Sequence, residues 1–325
     1  FSIKHANILS WLWLWLALLL GPSLALGDAC GPWTLDPPNL GKTLYDVVKD
    51  NFMVAVGEGG TILTRTDGGT GWTNWTPQTS PTPATLYSID SNYTNYIAVG
   101  AAGTILKGTP HYPNNIDWLV VPKANIPTTQ DLYSIEAFGG LVAVGAGGTI
   151  LKSTNNGGNW TLQSSGTSQN LYSVYFNGYL HIAVGAGGTI LKSMDGGDTW
   201  TLQTPAPTTQ DLYGIAVVQD TMTMQNSFVV VGAGGTILIS TDNGNTWNLE
   251  THGTQTLYDI AVVQEMMSNS LVIVGAGGTI LKGTNNFGMW SWDFEMSSTS
   301  NTLRSIIKGT DALVAVGHSG TTVTK

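Results

Sequence analysis

Side chains that could carry out catalysis or bind a metal are sparse in this chain. Its 325 residues include five histidines, one cysteine and two arginines, and Asp, Glu, Lys and Arg together make up only 10%. No Ser/His/Asp set, metal-ligand cluster or pair of carboxylates recurs at the spacing that such chemistry requires. The lone Cys30 excludes Cys-ligated zinc, iron–sulfur and c-type haem motifs. The sequence therefore predicts no enzyme activity, no metal and no cofactor.

One phrase recurs seven times after residue 40. It runs Leu-Tyr-[Ser/Asp]-Ile, a gap, Val-Gly-Ala-Gly-Gly-Thr-Ile-Leu-Lys-Ser-Thr, a polar turn and Trp-Thr-Leu, at spacings of 39 to 47 residues. The opening leucines are Leu44, Leu86, Leu132, Leu171, Leu212, Leu257 and Leu303, and the matching glycines are Gly57, Gly100, Gly145, Gly185, Gly232, Gly275 and Gly317. Because identical positions serve packing, we expect a binding site where the copies differ.

Two kinds of departure are candidate binding residues. Six copies begin Leu-Tyr but the seventh has Arg304, and the Ala of Val-Gly-Ala-Gly-Gly becomes Glu58 in the first copy and His318 in the last. Glu58 and His318 would form either a structural salt bridge, which we favour, or part of a ligand site. The second kind is methionine in the longer loops of copies five and six, which would form a partner surface or fill the core: Met222, Met224, Met266 and Met267.

The pattern within each copy predicts four short strands, because runs of β-favouring residues alternate with Gly and Asn/Asp turns and no helical periodicity occurs. Four strands in a period of about 40 to 50 residues are typical of a β-propeller blade. The seventh copy ends after its third strand, and residues 31–35 supply the missing phrase Trp-Thr-Leu at the other end of the chain. The sequence thus predicts an all-β, seven-bladed propeller over residues 28–325, with the N-terminal strand closing the last blade.

Residues 1–27 precede this domain and contain an apolar run at positions 8–20 that is predicted to be helical. Lys4 and His5 before the run, and small residues after it, are the layout of a secretory signal peptide. The alternatives are a retained anchor, with membrane contact only through residues 8–26, or an assembly helix. A mature chain that starts at Phe1 resembles the type IV pilins, although His5 stands where those helices usually have Glu.

The polar turns resemble the Asp-box, or BNR, repeat Ser-x-Asp-x-Gly-x-Thr-Trp, and the resemblance covers residues 31 to 325. We expect a structural role: the Asp or Asn caps the turn and the Trp packs between sheets. Calcium is disfavoured because each box supplies one carboxylate, whereas Ca²⁺ takes about six to eight oxygens. The residues are Asp67 and Trp72, Asn155 and Trp160, Asp195 and Trp200, Asp242 and Trp247, and Trp290 of a degenerate copy.

Asp-box families imply different functions. Sialidases hold the substrate carboxylate with three arginines, and this chain has only Arg65 and Arg304. Asp-box glycosidases need a carboxylate pair, which the sequence does not supply. The phrase is most similar to the photosystem II assembly and stability factor family of lumenal seven-bladed propellers. That resemblance implies the fold. It does not imply the family's partner, because members of the family bind that partner through an arginine-rich patch, which this chain lacks. The chain is more similar to the diverse group of exported bacterial propellers that share this repeat.

The sequence therefore predicts a non-catalytic, exported propeller that acts as a binding or assembly scaffold, located outside the cell, on its surface, or in a periplasmic or lumenal space. Its partner would be a protein, a further copy in an extracellular filament, or a glycan. Nucleic acid is excluded because the net charge is −9 and no basic cluster occurs. The alternative is a glycan-binding or glycan-processing protein of the Asp-box class, or an assembly factor for a membrane complex.

Overall fold

The computed structural model describes residues 32–35, 41–66, 73–111, 115–219, 226–264, 269–286, 289–309 and 312–325. Several predicted features lie outside these ranges, namely the N-terminal segment 1–27, the loop methionines Met222, Met224, Met266 and Met267, and Asp67 and Trp72 of the first Asp-box. Among the described residues, there is no helix with the length and apolar character needed to span a membrane.

The propeller consists of seven antiparallel sheets of four strands each, which confirms the predicted fold. Blades 1 to 3 contain β2 (Leu44–Lys49), β3 (Met53–Gly57), β4 (Ile62–Arg65) and β5 (Thr76–Pro77); β6 (Leu86–Ser91), β7 (Tyr96–Gly100), β8 (Thr104–His111) and β9 (Asn115–Val120); and β10 (Leu132–Glu136), β11 (Leu141–Gly145), β12 (Ile150–Ser153) and β13 (Thr161–Gln163).

Blades 4 to 6 contain β14 (Leu171–Phe176), β15 (His181–Gly185), β16 (Ile190–Ser193) and β17 (Thr201–Leu202); β18 (Leu212–Gln219), β19 (Asn226–Gly232), β20 (Thr236–Ser240) and β21 (Asn248–Thr251); and β22 (Leu257–Gln264), β23 (Asn269–Gly275), β24 (Ile280–Asn286) and β25 (Met289–Glu295). Blade 7 contains β26 (Leu303–Lys308), β27 (Leu313–Gly317), β28 (Thr322–Thr324) and β1 (Thr34–Leu35).

The first strand of every blade packs against the first strands of both neighbouring blades, so these seven strands surround the central axis. The second strands are buried on both faces, as the all-buried β3 and β27 show. Apolar side chains from adjacent blades share one cluster; Val54 of blade 1, for example, packs with Leu86 and Ala98 of blade 2. The near-continuous apolar runs of the second strands follow from this burial, because neither face meets water.

Short 3₁₀ turns join the second and third strands, and their glycines are required by close backbone approaches. A Cβ on Gly57 would lie 2.2 Å from the Thr43 carbonyl oxygen, and one on Gly60 would lie 1.9 Å from that of Thr82. Gly60 also has a φ of +71°, in the left-handed region. The turns are Glu58–Gly60, Ala101–Gly103, Ala146–Gly148, Ala186–Gly188, Ala233–Gly235, Ala276–Gly278 and His318–Gly320, and a further 3₁₀ turn covers Lys123–Asn125.

The ring is closed by the N-terminal strand, as predicted. Thr34 pairs with Thr324 and Leu35 with Val323, so β1 forms the outer strand of blade 7. The Trp33 side chain is buried, and its indole N–H donates to Oε2 of Glu295 at 2.8 Å. The other oxygen of Glu295 accepts from Lys325 Nζ at 2.8 Å. One carboxylate of blade 6 therefore contacts both chain ends.

The polar turn of blade 5 is organised by Asp242. Its carboxylate accepts the backbone N–H groups of Asn245 at 3.0 Å and Thr246 at 2.9 Å, and the hydroxyl groups of Thr246 at 2.7 Å and Ser240 at 2.8 Å. The Ser240 oxygen in turn accepts the N–H of Gly244 at 2.9 Å, where φ is +70°. Corresponding bonds surround Asn155 in blade 3 and Asp195 in blade 4.

The tryptophans that end these turns pack as spacers between blades. The indole N–H groups of Trp160 and Trp200 each donate to a carbonyl of their own turn at 3.1 Å. Trp247 packs against the core between blades 4 and 5. Trp290 of the degenerate copy stacks on Trp292, with ring centroids 5.5 Å apart. The contacts are those of a structural turn.

We expect Trp33→Ala to destabilise the propeller by about 3 to 5 kcal/mol, because a buried tryptophan at the closing seam would be replaced by a cavity. Denaturant unfolding followed by fluorescence would measure the change. Thr34→Ala is the matched control, since Thr34 lies on the same strand and is exposed; its effect should stay below about 1 kcal/mol. Equal effects of both changes would mean that the strand contributes no buried contact.

We expect Asp242→Ala to lower the melting temperature by about 2 °C, because the turn loses the acceptor for its backbone N–H groups. Asp242→Asn should cost less than this, since Asn155 makes corresponding bonds in blade 3. Scanning calorimetry of both variants tests the comparison. A lower melting temperature for the Asn variant than for the Ala variant would contradict the capping role.

Candidate binding site at the channel mouth

A β-bulge at the start of each first strand builds the candidate site. In blade 1, Leu44 pairs with Gly57 and Asp46 with Val56, so Tyr45 is the extra residue without a partner. The same register shift occurs in all seven blades. A bulge redirects the side chain of the extra residue. The seven bulged residues line one end of the central channel: Tyr45, Tyr87, Tyr133, Tyr172, Tyr213, Tyr258 and Arg304.

The bulged residues form a closed ring of side chains around an open cavity of about 120 Å³. Successive tyrosine rings lie with their centroids 5.1 to 5.6 Å apart, from Tyr45 around to Tyr258. Arg304 fills the seventh position, with its guanidinium carbon 4.3 Å from the Tyr258 centroid and 6.0 Å from that of Tyr45. Cation–π contacts thus replace the missing aromatic pair at the seam.

The structure brings two of the three predicted polar departures together. Arg304 donates from Nε at 3.1 Å and from Nη2 at 3.0 Å to Nε2 of His318. An imidazole nitrogen accepts only when it carries no proton, so His318 is neutral in this arrangement. Burial and the Arg304 charge both lower the pKa of His318. Glu58 instead accepts the Thr43 N–H at 3.2 Å, and within the described ranges no ion pair joins it to His318.

A second polar layer lies directly beneath the ring and was not recognised from the sequence. It consists of the third residue of six repeats: Asp46, Ser88, Ser134, Ser173, Asp259 and Ser305. The fifth repeat has Gly214 at this position. The Ser or Asp at this position was visible in the repeat. The location of this residue at the channel could not be recognised from the sequence, because only the bulge shows that it and the tyrosine before it both face the channel.

The Ser305 hydroxyl bridges the carboxyls of Asp46 and Asp259. It lies 2.8 Å from Oδ1 of Asp46 and 2.8 Å from Oδ2 of Asp259. Burial and the Asp46 carboxylate raise the pKa of Asp259 to about 7, and burial raises the pKa of Asp46. Both shifts favour a proton on this pair, which lies at the junction of blades 6, 7 and 1.

Both carboxyls connect neighbouring blades. Both oxygens of Asp46 accept bonds, from the backbone N–H groups of Val47 and Ile89 and from serine hydroxyls. Asp259 accepts from the N–H groups of Ile260 and Ile306. Since Ile89 and Ile306 belong to the next blade, these bonds join blade 1 to blade 2 and blade 6 to blade 7.

Two further buried carboxyls connect blades 2, 3 and 4 at the other end of the first strands. Asp90 accepts the Ala137 N–H at 2.7 Å, and Glu136 accepts the Phe176 N–H at 3.0 Å. Burial raises the pKa of Asp90 to about 6, and burial together with Asp90 raises that of Glu136 to about 8. Among the described residues, no group of three or more His, Cys, Asp or Glu side chains is arranged to hold a metal ion.

The predicted methionine surface is not tested, because the four methionines lie outside the described residues. In the sequence, Met222 and Met224 fall between β18, which ends at Gln219, and β19, which begins at Asn226. Gln219 and Asn226 pair with each other. That pair lies at the opposite end of blade 5 from Leu212 and Gly232, beside which the bulge occurs.

Fold and site together define a seven-bladed β-propeller with an open cavity on its axis. No protein-family model matches the chain, and no curated protein matches it. YCF48 from Cyanidioschyzon merolae has the same fold, with a TM-score of 0.67 and 18% identity over 90% of this chain and 98% of its own. YCF48 bound to D1 peptide gives 0.70 and 17%, over 91% and 96%.

The WD40 propeller domain of Doa1 is similar to a comparable extent, with a TM-score of 0.67 and 13% identity over 90% of this chain and 94% of its own. Identities this low establish a common fold and no more. The chain is therefore a seven-bladed propeller of the general kind that YCF48 and WD40 proteins share, and its function depends on its own site.

We expect the free energy of unfolding to decrease as the pH rises from about 4 to 7. The raised pKa of Asp259 means that the folded state binds more protons than the unfolded state between its ordinary pKa near 4 and about 7. This contribution is complete below pH 4 and is lost as the pH rises through 7. One extra bound proton corresponds to a slope of about 1.4 kcal/mol per pH unit.

Asp259→Ser should make this slope less steep while keeping the fold, because Ser88 and Ser134 accept the next blade's N–H at the same position in blades 2 and 3. Asp90 and Glu136, whose pKa values are also raised, maintain the remaining slope. Urea unfolding at several pH values measures the slope. The exposed Asp293, changed to serine, is the control and should leave the slope as in the parent protein. An unchanged slope in Asp259→Ser would show that the raised pKa of Asp259 is not the cause.

Proposed function

We propose that this protein is a non-catalytic propeller that holds a segment of a partner protein at the channel mouth, as an assembly scaffold. The observation that supports this most directly is the ring of six tyrosines interrupted by Arg304 around an open cavity. Tyrosine and arginine are the residue types that contribute most binding energy at protein interfaces. The repeat departs from its own pattern at this point, as a binding site in a repeat protein should.

The size of the cavity favours a macromolecular partner over a free small molecule. Small-molecule sites usually enclose about 300 to 1,000 Å³. A volume of about 120 Å³ suits one side chain or one chain end that projects from a larger surface. YCF48, which has the same fold, is found bound to a peptide of D1, so a propeller of this architecture is able to hold a peptide.

The absence of catalysis is the second part of the proposal. It is supported by the carboxyls that line the cavity, Asp46 and Asp259, which accept backbone N–H and hydroxyl donors from neighbouring blades. Export through the predicted N-terminal segment is the third part, with the protein acting outside the cytoplasm. The filament and glycan-binding hypotheses remain alternatives; the filament hypothesis depends on residues 8–20, which lie outside the described ranges.

Site-specific photocrosslinking tests the proposal. We expect p-benzoylphenylalanine in place of Tyr133, in the ring, to form an adduct with one discrete protein from the exported fraction of the source cells. The same group in place of Tyr179 is the control, because Tyr179 is exposed in the turn between β14 and β15, at the other end of its blade. Mass spectrometry of the adduct should map the crosslink to a single short segment of the partner.

Two results would contradict the proposal. Equal adducts from both positions, or none from position 133, would mean that the mouth is not the docking site. Turnover of an aryl glycoside that is abolished by Asp46→Asn or Glu58→Gln would make the protein an enzyme.

A further inference from the structure

Arg304 has a charge that no other described side chain neutralises. Its interactions are the two hydrogen bonds to His318 and the contacts with the rings of Tyr258 and Tyr45. No carboxylate within the described part of the chain forms an ion pair with it. A guanidinium has five N–H donors, and His318 receives two of them, so about three are available to an acceptor.

His318 does not balance this charge. It accepts through a lone pair on Nε2, so it is neutral, and a protonated His318 would place a second cation about 3 Å from the first. The carboxyls of the second layer, Asp46 and Asp259, accept from backbone N–H groups and from the Ser305 hydroxyl, and neither forms an ion pair with Arg304. A half-buried guanidinium with spare donors and no counter-ion favours binding of an anion from outside.

The chemistry of the mouth selects a carboxylate among the anions. Its two oxygens match the planar guanidinium fork, which forms two parallel hydrogen bonds. A phosphate group carries about −1.5 to −2 charges and is usually held by several arginines, whereas this ring contains one. The second layer beneath is itself acidic at Asp46, which disfavours a dianion more than a monoanion. The cavity of about 120 Å³ admits a carboxylate at the end of a side chain or of a polypeptide.

We propose that Arg304 is the specificity-determining residue of the mouth and receives one carboxylate of the partner, either an Asp or Glu side chain or a C-terminus. This inference rests on the proposed function, in which a partner segment docks at the ring. The tyrosines surround the bound carboxylate with aromatic surface and phenol groups, and Arg304 supplies the charge. His318 holds the guanidinium in place by accepting from Nε and Nη2.

Fluorine NMR of the full chain labelled with 3-fluorotyrosine tests the inference. Tyr45→Phe and Tyr258→Phe assign the two resonances beside Arg304. The probes are three short peptides: N-acetyl-triglycine with a free C-terminus, N-acetyl-Gly-Asp-Gly amide, and N-acetyl-Gly-Asn-Gly amide as the neutral match. We expect a carboxylate peptide to shift both resonances saturably and the Asn peptide to bind at least about tenfold more weakly. The tighter of the two carboxylate peptides identifies the source of the carboxylate.

Variants of Arg304 that remove its charge but keep the fold test whether the charge is responsible for binding. Arg304→Tyr completes the tyrosine ring, and six blades already have Tyr at this position, so the variant should fold and lose at least about tenfold in affinity for the carboxylate peptide. Arg304→Gln should do the same while retaining a polar side chain. Lys308→Gln removes one exposed positive charge at the opposite end of β26 from the ring and should leave affinity unchanged.

Equal binding of the Asp and Asn peptides would overturn the inference, as would unchanged affinity in Arg304→Tyr or a failure of every peptide to shift the two resonances. The proposed function is judged separately by the crosslink at position 133. A crosslink there combined with equal peptide binding would leave the docking site in place and remove only the carboxylate.

Discussion

Polar side chains on the innermost strands accept backbone N–H groups from the next blade. Asp46 accepts from Ile89, Ser88 from Ile135, and Asp259 from Ile306. A backbone N–H buried near the axis without a partner would cost about 1 to 3 kcal/mol, so these bonds fix how one blade meets the next. The mouth depends on them, because the bulged residue that lines it directly precedes the accepting residue on the same strand.

The ring of bulged residues is where the structural repeat departs from its own pattern. Six tyrosines contact one another in sequence, and Arg304 replaces the seventh at blade 7, which combines β1 with the last three strands. One substitution therefore places the cation of the mouth beside the closing seam. The same junction contains the Ser305 hydroxyl that bridges Asp46 and Asp259, so ring closure and the charge of the mouth are located together.

The sequence predicted much of the fold and part of the site. Seven copies of one phrase predicted the blades, and the phrase at Trp33 predicted the closing strand, which the pairing of Thr34 with Thr324 confirms. Arg304 and His318 were recognised as departures, but their direct hydrogen bonds were not foreseen. Instead, the sequence suggested Glu58 as the partner of His318, whereas Glu58 accepts from the Thr43 backbone.

By itself, the amino-acid sequence determined blade number, strand order and the positions at which the copies differ, because these follow from local periodicity and from turns within some 45 residues. Only the tertiary structure decided that Tyr45, Tyr258 and Arg304 meet, since ring closure brings together residues that are far apart in the chain. It also decided that Asp46 and Asp259 are bridged by one hydroxyl and are buried, which raises the pKa of both carboxyls above the ordinary value. Neither burial nor the bridge is encoded in the spacing of the residues.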